Sequence, residues 1–124
     1  MKYRVNTTPT FEKEFKRLLK RYPKIVDDFE ALIDEIEVGA ELGEPIQGVG
    51  VKFENSKKRF KIFKKRMANT SAKQGKSGGF RVIIYLITSN NLVYLLDIYS
   101  KNEQENISTK DIINLIKKNE PQLK

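Results

Sequence analysis

The stretch KQGKSGGFRVIIYLITSNNLVYLLDIYSK, Lys73–Lys101, decides how this chain folds. It opens as a basic, glycine-rich loop and passes at Phe80 into an apolar run, FRVIIYLI (80–87). It turns at Ser89-Asn90-Asn91 and returns as LVYLLDIYS (92–100). Two runs rich in β-branched and aromatic residues around a short polar turn predict an antiparallel hairpin. Side chains alternate across a strand, so Phe80, Val82, Ile84 and Leu86 share one face, and Arg81, Ile83, Tyr85 and Ile87 the other. On the return strand Leu92, Tyr94, Leu96 and Ile98 form the expected core set. Val93, Leu95, Asp97, Tyr99 and then Lys101 oppose it. This alternation predicts one open face carrying Arg81, Tyr85, Asp97, Tyr99 and Lys101.

The tripeptide Gly75-Lys76-Ser77 is the tail of a phosphate-binding loop without the rest of it. That motif needs a glycine at position 70, which is Thr70, and must open a helix, whereas this stretch opens a strand. Gly78-Gly79 instead frees the backbone to turn tightly into the strand and delivers Arg81 at its start.

Upstream, KKRFKIFKKRM (57–67) predicts a third strand whose phase is ambiguous. Core positions at Phe63 and Met67 would send Lys64 and Arg66 to the open face beside Arg81, and a bulge would change this. ANTSAKQGKSGG (68–79) predicts a loop. Residues 39–56, with four glycines and a proline, predict a connecting loop with some extended structure near Val49–Phe53. At the N-terminus KYRVN (2–6) alternates as a short strand. Thr8-Pro9 supplies an N-cap and a proline at the first helical position. Phe11, Phe15, Leu18, Leu19 and Tyr22 form the apolar stripe of the helix that follows, opposite Lys13, Lys16, Arg17, Lys20 and Arg21. A second helix runs from about Lys24 to Glu37 with Ile25, Val26, Phe29, Leu32, Ile33 and Ile36 inward, so the two make a hairpin. Ser108-x-x-Asp111 opens a last short helix that ends at Pro121.

The predicted order is β-α-α-β-β-β-α, an α+β domain with the helical hairpin packed on one face of a mostly antiparallel twisted sheet. At 124 residues one domain, 1–124, is expected. The chain has no cysteine and no histidine, which removes disulfides, the commonest neutral-pH base and the commonest transition-metal ligand. No metal and no cofactor is expected. With no signal-like start and no long apolar run, the expected location is the cytoplasm, away from membranes.

Net charge is +8, and it is localised. Residues 57–81 hold ten basic residues and no acid, while the other 99 hold 14 basic and 16 acidic residues, a balance of −2. A basic footprint confined to one quarter of the chain suits a polyanion such as nucleic acid.

Three stretches then resemble the RelE/HigB family of bacterial toxins from toxin–antitoxin pairs. They are the K-x-R of FKKRM (Lys64, Arg66), GKSGGFRVIIY, and LLDIYSKNEQENIS leading into a final helix. The resemblance implies a RelE-like microbial ribonuclease fold and an mRNA endonuclease acting in the ribosomal A site. It also implies a paired antitoxin, expected to be acidic or flexible, so the partners are antitoxin, mRNA and ribosome. Carried onto matching positions, the catalytic residues would be Lys64, Arg66 and Arg81, then Tyr99 and Lys101. After Lys101 the chain reads Asn-Glu-Gln-Glu-Asn, without the C-terminal His or later Arg-x-x-Tyr pair of some members.

Metal-free RNA cleavage needs the 2′-OH to attack the adjacent phosphate. A group must take the 2′ proton, cations must hold the phosphorane, and an acid must protonate the 5′ oxygen. Arg81 and Arg66 suit the phosphate, since a guanidinium fork binds two oxygens. Lys64 is the candidate proton carrier, with Asp97 or Tyr99 able to share that work. Lys61, Phe63, Lys65, Lys73, Lys76 and Tyr85 are candidate RNA contacts, Tyr85 or Phe63 by stacking on a base. Two other classes fit the same charge: a binding module that cuts nothing, and a topoisomerase-inhibiting relative on the same fold.

Overall fold

The computed structural model describes residues 2–49 and 60–123. In chain order the elements are β1 (Arg4–Thr7), α1 (Pro9–Arg21), α2 (Ile25–Glu37), β2 (Glu44–Pro45), β3 (Phe60–Met67), β4 (Phe80–Ile87), β5 (Leu92–Ser100) and α3 (Thr109–Asn119). The strands form one sheet in the order β1-β5-β4-β3-β2, with β1 parallel to β5 and the other pairings antiparallel. This is the expected α+β architecture with one added strand. The two-residue β2 lies within the stretch read as loop, where Glu44 and Pro45 pair with Lys64 and Phe63. A pairing that short leaves no alternation to read. The extended structure expected at 50–53 and the strand start at 57–59 lie outside the described residues.

Thr8 caps α1 as its sequence predicts: its Oγ1 accepts from the Phe11 amide at 3.2 Å and donates to the Leu95 carbonyl at 2.8 Å. One hydroxyl thus satisfies an orphan helix donor and pins α1 across β5. The α1 and α2 stripes bury Phe11, Leu18, Tyr22, Ile25, Leu32 and Ile36 against Phe80, Val82, Ile84 and Leu86 of β4.

The opposite sheet face is covered as well. From α3, Ile112 and Ile116 pack with Leu123 on Ile83, Tyr85, Ile87, Tyr94, Leu96 and Tyr99. At about 1.5–3 kcal/mol for each large apolar side chain buried, those three residues hold α3 on the sheet. All eight residues of β4 are therefore buried, which explains its near-continuous apolar run.

The expected phase of β5 is corrected over its first half. Ile84 pairs with Leu95 and Ile83 with Asp97, so Leu96 is an extra, bulged residue. Before the bulge Val93 and Leu95 face the hairpin, while Leu92, Tyr94 and Leu96 face α3. After it Ile98 faces the hairpin and Tyr99 the other side, as predicted. Every residue from Leu92 to Leu96 is apolar, so hydrophobicity alone fixed no phase there.

Candidate active site

Beside the segment that joins β5 to the start of α3, the sheet opens into a groove of about 710 Å³. Lys64, Lys65, Arg66, Lys76, Arg81 and Lys101 line it, against Glu41, Glu44 and Glu105. Six cations meet three carboxylates there, so the groove is cationic. β3 and β4 build its floor: Arg66 and Arg81 are direct cross-strand partners, and Lys64 lies two residues along from Arg66. The choice of phase that put Lys64 and Arg66 beside Arg81 is the observed one. Phe63, Lys65 and Met67 take the hairpin side, where Phe63 and Met67 join the core.

Two glycines shape the walls. Gly79 passes so close to β3 that a Cβ there would overlap the Met67 carbonyl oxygen and press on the Asn69 amide. Gly43 has φ +100°, and a Cβ on it would overlap the Lys64 carbonyl oxygen. The conformational freedom expected of Gly78-Gly79 is not what the structure uses: neither has a positive φ, and the constraint belongs to Gly79 through close approach.

Arg81 is 5 % exposed, and the basic loop is folded around it. Nη1 donates to the carbonyls of Lys76 at 3.0 Å and Phe80 at 3.2 Å, and Nη2 to that of Ser77 at 2.7 Å. A guanidinium has five N–H donors, so Nε and one Nη2 hydrogen remain without a partner among the described residues. Burial, and then Arg66, push the Arg81 pKa below its ordinary value; Tyr99 and Glu44 act the other way. A desolvated cation beside a second cation gains from an anion placed between them.

Arg66 is exposed, and its side chain makes no hydrogen bond or ion pair among the described residues. Lys64 donates to Asn106 Oδ1 at 3.2 Å and stands 3.9 Å from a Glu44 carboxylate oxygen. Lys101 is half-buried on the wall, its amide bonded to the Gly79 carbonyl at 3.0 Å. Lys76 and the buried Lys65 share Glu35 of α2, at 2.9 and 3.3 Å. Those two lysines hold the Glu35 carboxyl below the usual carboxylate range, the Lys76 hydrogen bond contributing most.

Other expected site residues lie elsewhere or, in the case of Lys65, have their amine already engaged. Tyr85 is a core residue, 3 % exposed, stacked on Phe60 at 4.7 Å between ring centroids, and burial pushes its hydroxyl up to about 12. It is no platform for a base, because α3 covers that face. Phe63 packs against the hairpin core instead of facing RNA. Lys65 spends its amine on Glu35 and on the Glu41 carbonyl at 2.8 Å. Exposed Lys61 borders a separate apolar cleft with Ile46, Phe60 and Ile62. Lys73, exposed at φ 56°, lies outside the groove lining.

Tyr99 pairs across the strands with Arg81 but is 3 % exposed and does not line the groove. Its hydroxyl has no hydrogen-bond partner among the described residues. Asp97 also stays out of the groove: burial pushes its carboxyl up to about 6, and the charges acting on it are Glu14 and Arg17 of α1. The register still sets it opposite Ile83, two residues along from Arg81, but it does not line the groove.

Sequence reasoning missed the groove carboxylates and Asn106. Glu44 carried no signal because β2 carries none. Asn106 belongs to the segment noted only for lacking His, Arg and Tyr. Among the described residues no group of three or more acidic, His or Cys side chains is placed to hold a metal ion, and no helix is long and apolar enough to cross a membrane.

Residues 53–120 match the family model described as RelE toxin of RelE / RelB toxin-antitoxin system. The chain belongs to the RelE toxin family. No curated protein sequence matches it. The matched segment spans β3, β4, β5 and α3, hence every cation of the groove, while Glu41, Gly43 and Glu44 lie before it. Family membership makes this RelE-family protein a toxin of a toxin–antitoxin system, with an antitoxin as its partner.

Proposed function

We propose that this RelE-family toxin is an endoribonuclease that cuts translated mRNA on the ribosome, in the cytoplasm and without a metal. The observation that carries the reading is the pairing of Arg66 with Arg81 across β3 and β4, inside a groove that also holds Lys64 and Lys101. One backbone phosphate seated over that pair meets the free Nε–Nη2 edge of Arg81 and the exposed guanidinium of Arg66. Both stabilise the extra negative charge of the phosphorane formed when the 2′-OH attacks. Lys64, in the fraction that has shed a proton, takes the 2′ proton on its amine lone pair as the attacking oxygen bonds to phosphorus, and so becomes the ammonium. Lys101, on the opposite wall, is assigned to the leaving 5′ oxygen, which gains a proton as its bond to phosphorus breaks. Tyr99 and Tyr85 take no part.

The test is induced expression of the toxin alone, with message 5′ ends mapped and cleavage repeated on purified mRNA with and without ribosomes. New 5′ ends within coding regions, dependent on ribosomes and lost with Arg66→Ala, are expected. Intact messages with DNA-damage signalling would point to topoisomerase inhibition. Intact messages with tight RNA binding would point to a module that binds and does not cut.

A further inference from the structure

The segment joining β5 to α3, KNEQEN (101–106), runs along one side of the groove and is fastened at both ends. At its start Asn102 exchanges two hydrogen bonds with Gln74, at 2.9 and 3.1 Å, and the Lys101 amide bonds to Gly79. Midway, Glu103 pairs with Arg17 at 2.9 Å and reaches Arg21 at 3.8 Å. At its end Asn106 is set by its own surroundings. Its Oδ1 accepts from the Ile107 amide at 2.9 Å, and its carbonyl accepts from Gln104 Nε2 at 2.9 Å. Ile107 packs on the second core, and Ser108 caps α3 by accepting from the Asp111 amide at 3.1 Å.

That same Oδ1 accepts from Lys64 Nζ. Both acceptors are exposed, but the Asn106 amide oxygen is held by the Ile107 amide, whereas the Glu44 carboxylate is 3.9 Å away. An ammonium has three donors, so anchoring one leaves the others for substrate.

We propose that Asn106 is a positioning residue for Lys64: it fixes the lysine head at the groove floor beside Arg66 and Arg81. The inference rests on the nuclease reading for its kinetic consequence and on geometry alone for the anchoring. A carboxylate at 106 keeps the acceptor oxygen, and alanine removes it.

The experiment uses the full chain, labelled with ¹⁵N at lysine side chains, with the Lys64 ammonium signal assigned by Lys64→Arg. Hydrogen exchange of that signal is measured in the parent, Asn106→Ala and Asn106→Asp proteins, alongside kcat and KM for cleavage. The expected result is an ammonium protected in the parent and in Asn106→Asp, with protection lost in Asn106→Ala. The expected kinetic result is a kcat about tenfold lower in Asn106→Ala with KM unchanged, and kcat near parental in Asn106→Asp. A tenfold loss is well below the roughly hundredfold that a misplacement of about 1 Å can cost. Unchanged Lys64 protection in Asn106→Ala overturns the proposal, as does a change confined to KM or thermal stability. If the parent cuts no RNA, the nuclease reading fails, and the exchange data alone decide the anchoring.

Discussion

The two groove arginines are cross-strand neighbours with opposite circumstances, and replacing each by lysine separates structure from chemistry. Arg81 is 5 % exposed and gives three hydrogen bonds to the carbonyls of Lys76, Ser77 and Phe80. Lysine keeps the charge but presents one ammonium in place of a planar fork. If it recovers one of the three bonds, two are lost, each worth about 1.5–3 kcal/mol because the donor is charged. Water entering from the open groove offsets part of that loss. The prediction for Arg81→Lys is a net cost of roughly 2–3 kcal/mol, on the order of 10 °C in Tm for a chain of this size. Arg66 is exposed and without a partner among the described residues, so Arg66→Lys stays within about 0.5 kcal/mol of the parent. In cleavage both variants lose a transition-state donor and fall roughly a hundred- to a thousand-fold. RNA affinity holds within about tenfold for both, because charge is retained. Thermal melts followed by circular dichroism read the first quantity, and primer extension on programmed ribosomes at 25 °C, where both variants stay folded, reads the second. If Arg81→Lys melts with the parent, the loop is not built around that guanidinium. If Arg66→Lys cuts at the parental rate, the phosphate does not sit between the two strands.

Three further outcomes follow from particular contacts. Gly79→Ala drives a Cβ into backbone that cannot retreat and is expected to cost more than about 2 kcal/mol in denaturant melts, while Gly78→Ala, whose nearest neighbour is the flexible Gln74 side chain at 3.7 Å, stays near parental; equal melts for the pair would contradict the close approach. Tyr99→Phe removes a buried hydroxyl that has no partner, so stability is unchanged or rises by about 1 kcal/mol and cleavage persists; a hundredfold loss of rate would return Tyr99 to the catalytic set. Asp97 has a folded pKa near 6 against an ordinary 3.8, so the folded state holds its proton longer and stability falls as pH rises from about 4 to 6. Asp97→Asn escapes that penalty: Tm should match the parent at pH 4 and exceed it at pH 7, by at most about 3 kcal/mol in stability, and a constant difference across the range would refute the burial argument.

Elements with a local chemical signature were legible in the sequence. The cap at Thr8-Pro9, the limits of β4 and β5, and most of the hairpin stripes carry their physics in adjacent residues, although Leu19 and Val26, expected inward, are exposed. The two sides of β3 were less legible: Ile62-Phe63 and Lys64-Lys65-Arg66 are adjacent runs that fit either phase, and only the preference for Phe63 and Met67 as core residues pointed to the observed one. What escaped was set by distant partners. The bulge at Leu96 lies in an uninterrupted apolar run, and only the burial of both sheet faces makes such a run affordable. The same two-sided burial explains Tyr85, which reads as an open-face aromatic until α3 is laid over it.

Covering both faces also dictates where a site can exist. With the hairpin on one side and α3 on the other, the middle of the sheet is inaccessible, and polar chemistry is displaced to where β3 ends and β4 begins, beside the segment that leads into the first turn of α3. There the chain changes direction three times in close proximity: at Gly43 before β2, at Gly79 before β4, and at Lys101 after β5. The carbonyls that hold the Arg81 guanidinium, of Lys76, Ser77 and Phe80, all come from the second of these, where the Lys101 amide also meets the Gly79 carbonyl. The basic stretch 57–81 therefore divides its charge by position. Lys65 and Lys76 join β3 and the loop to α2 through Glu35, Arg81 organises the loop, and Arg66 keeps its charge unspent. A count of basic residues treats these four alike, whereas their partners leave only Arg66 and the free edge of Arg81 with donors unspent among the described residues, the two that the proposed function sets against a phosphate.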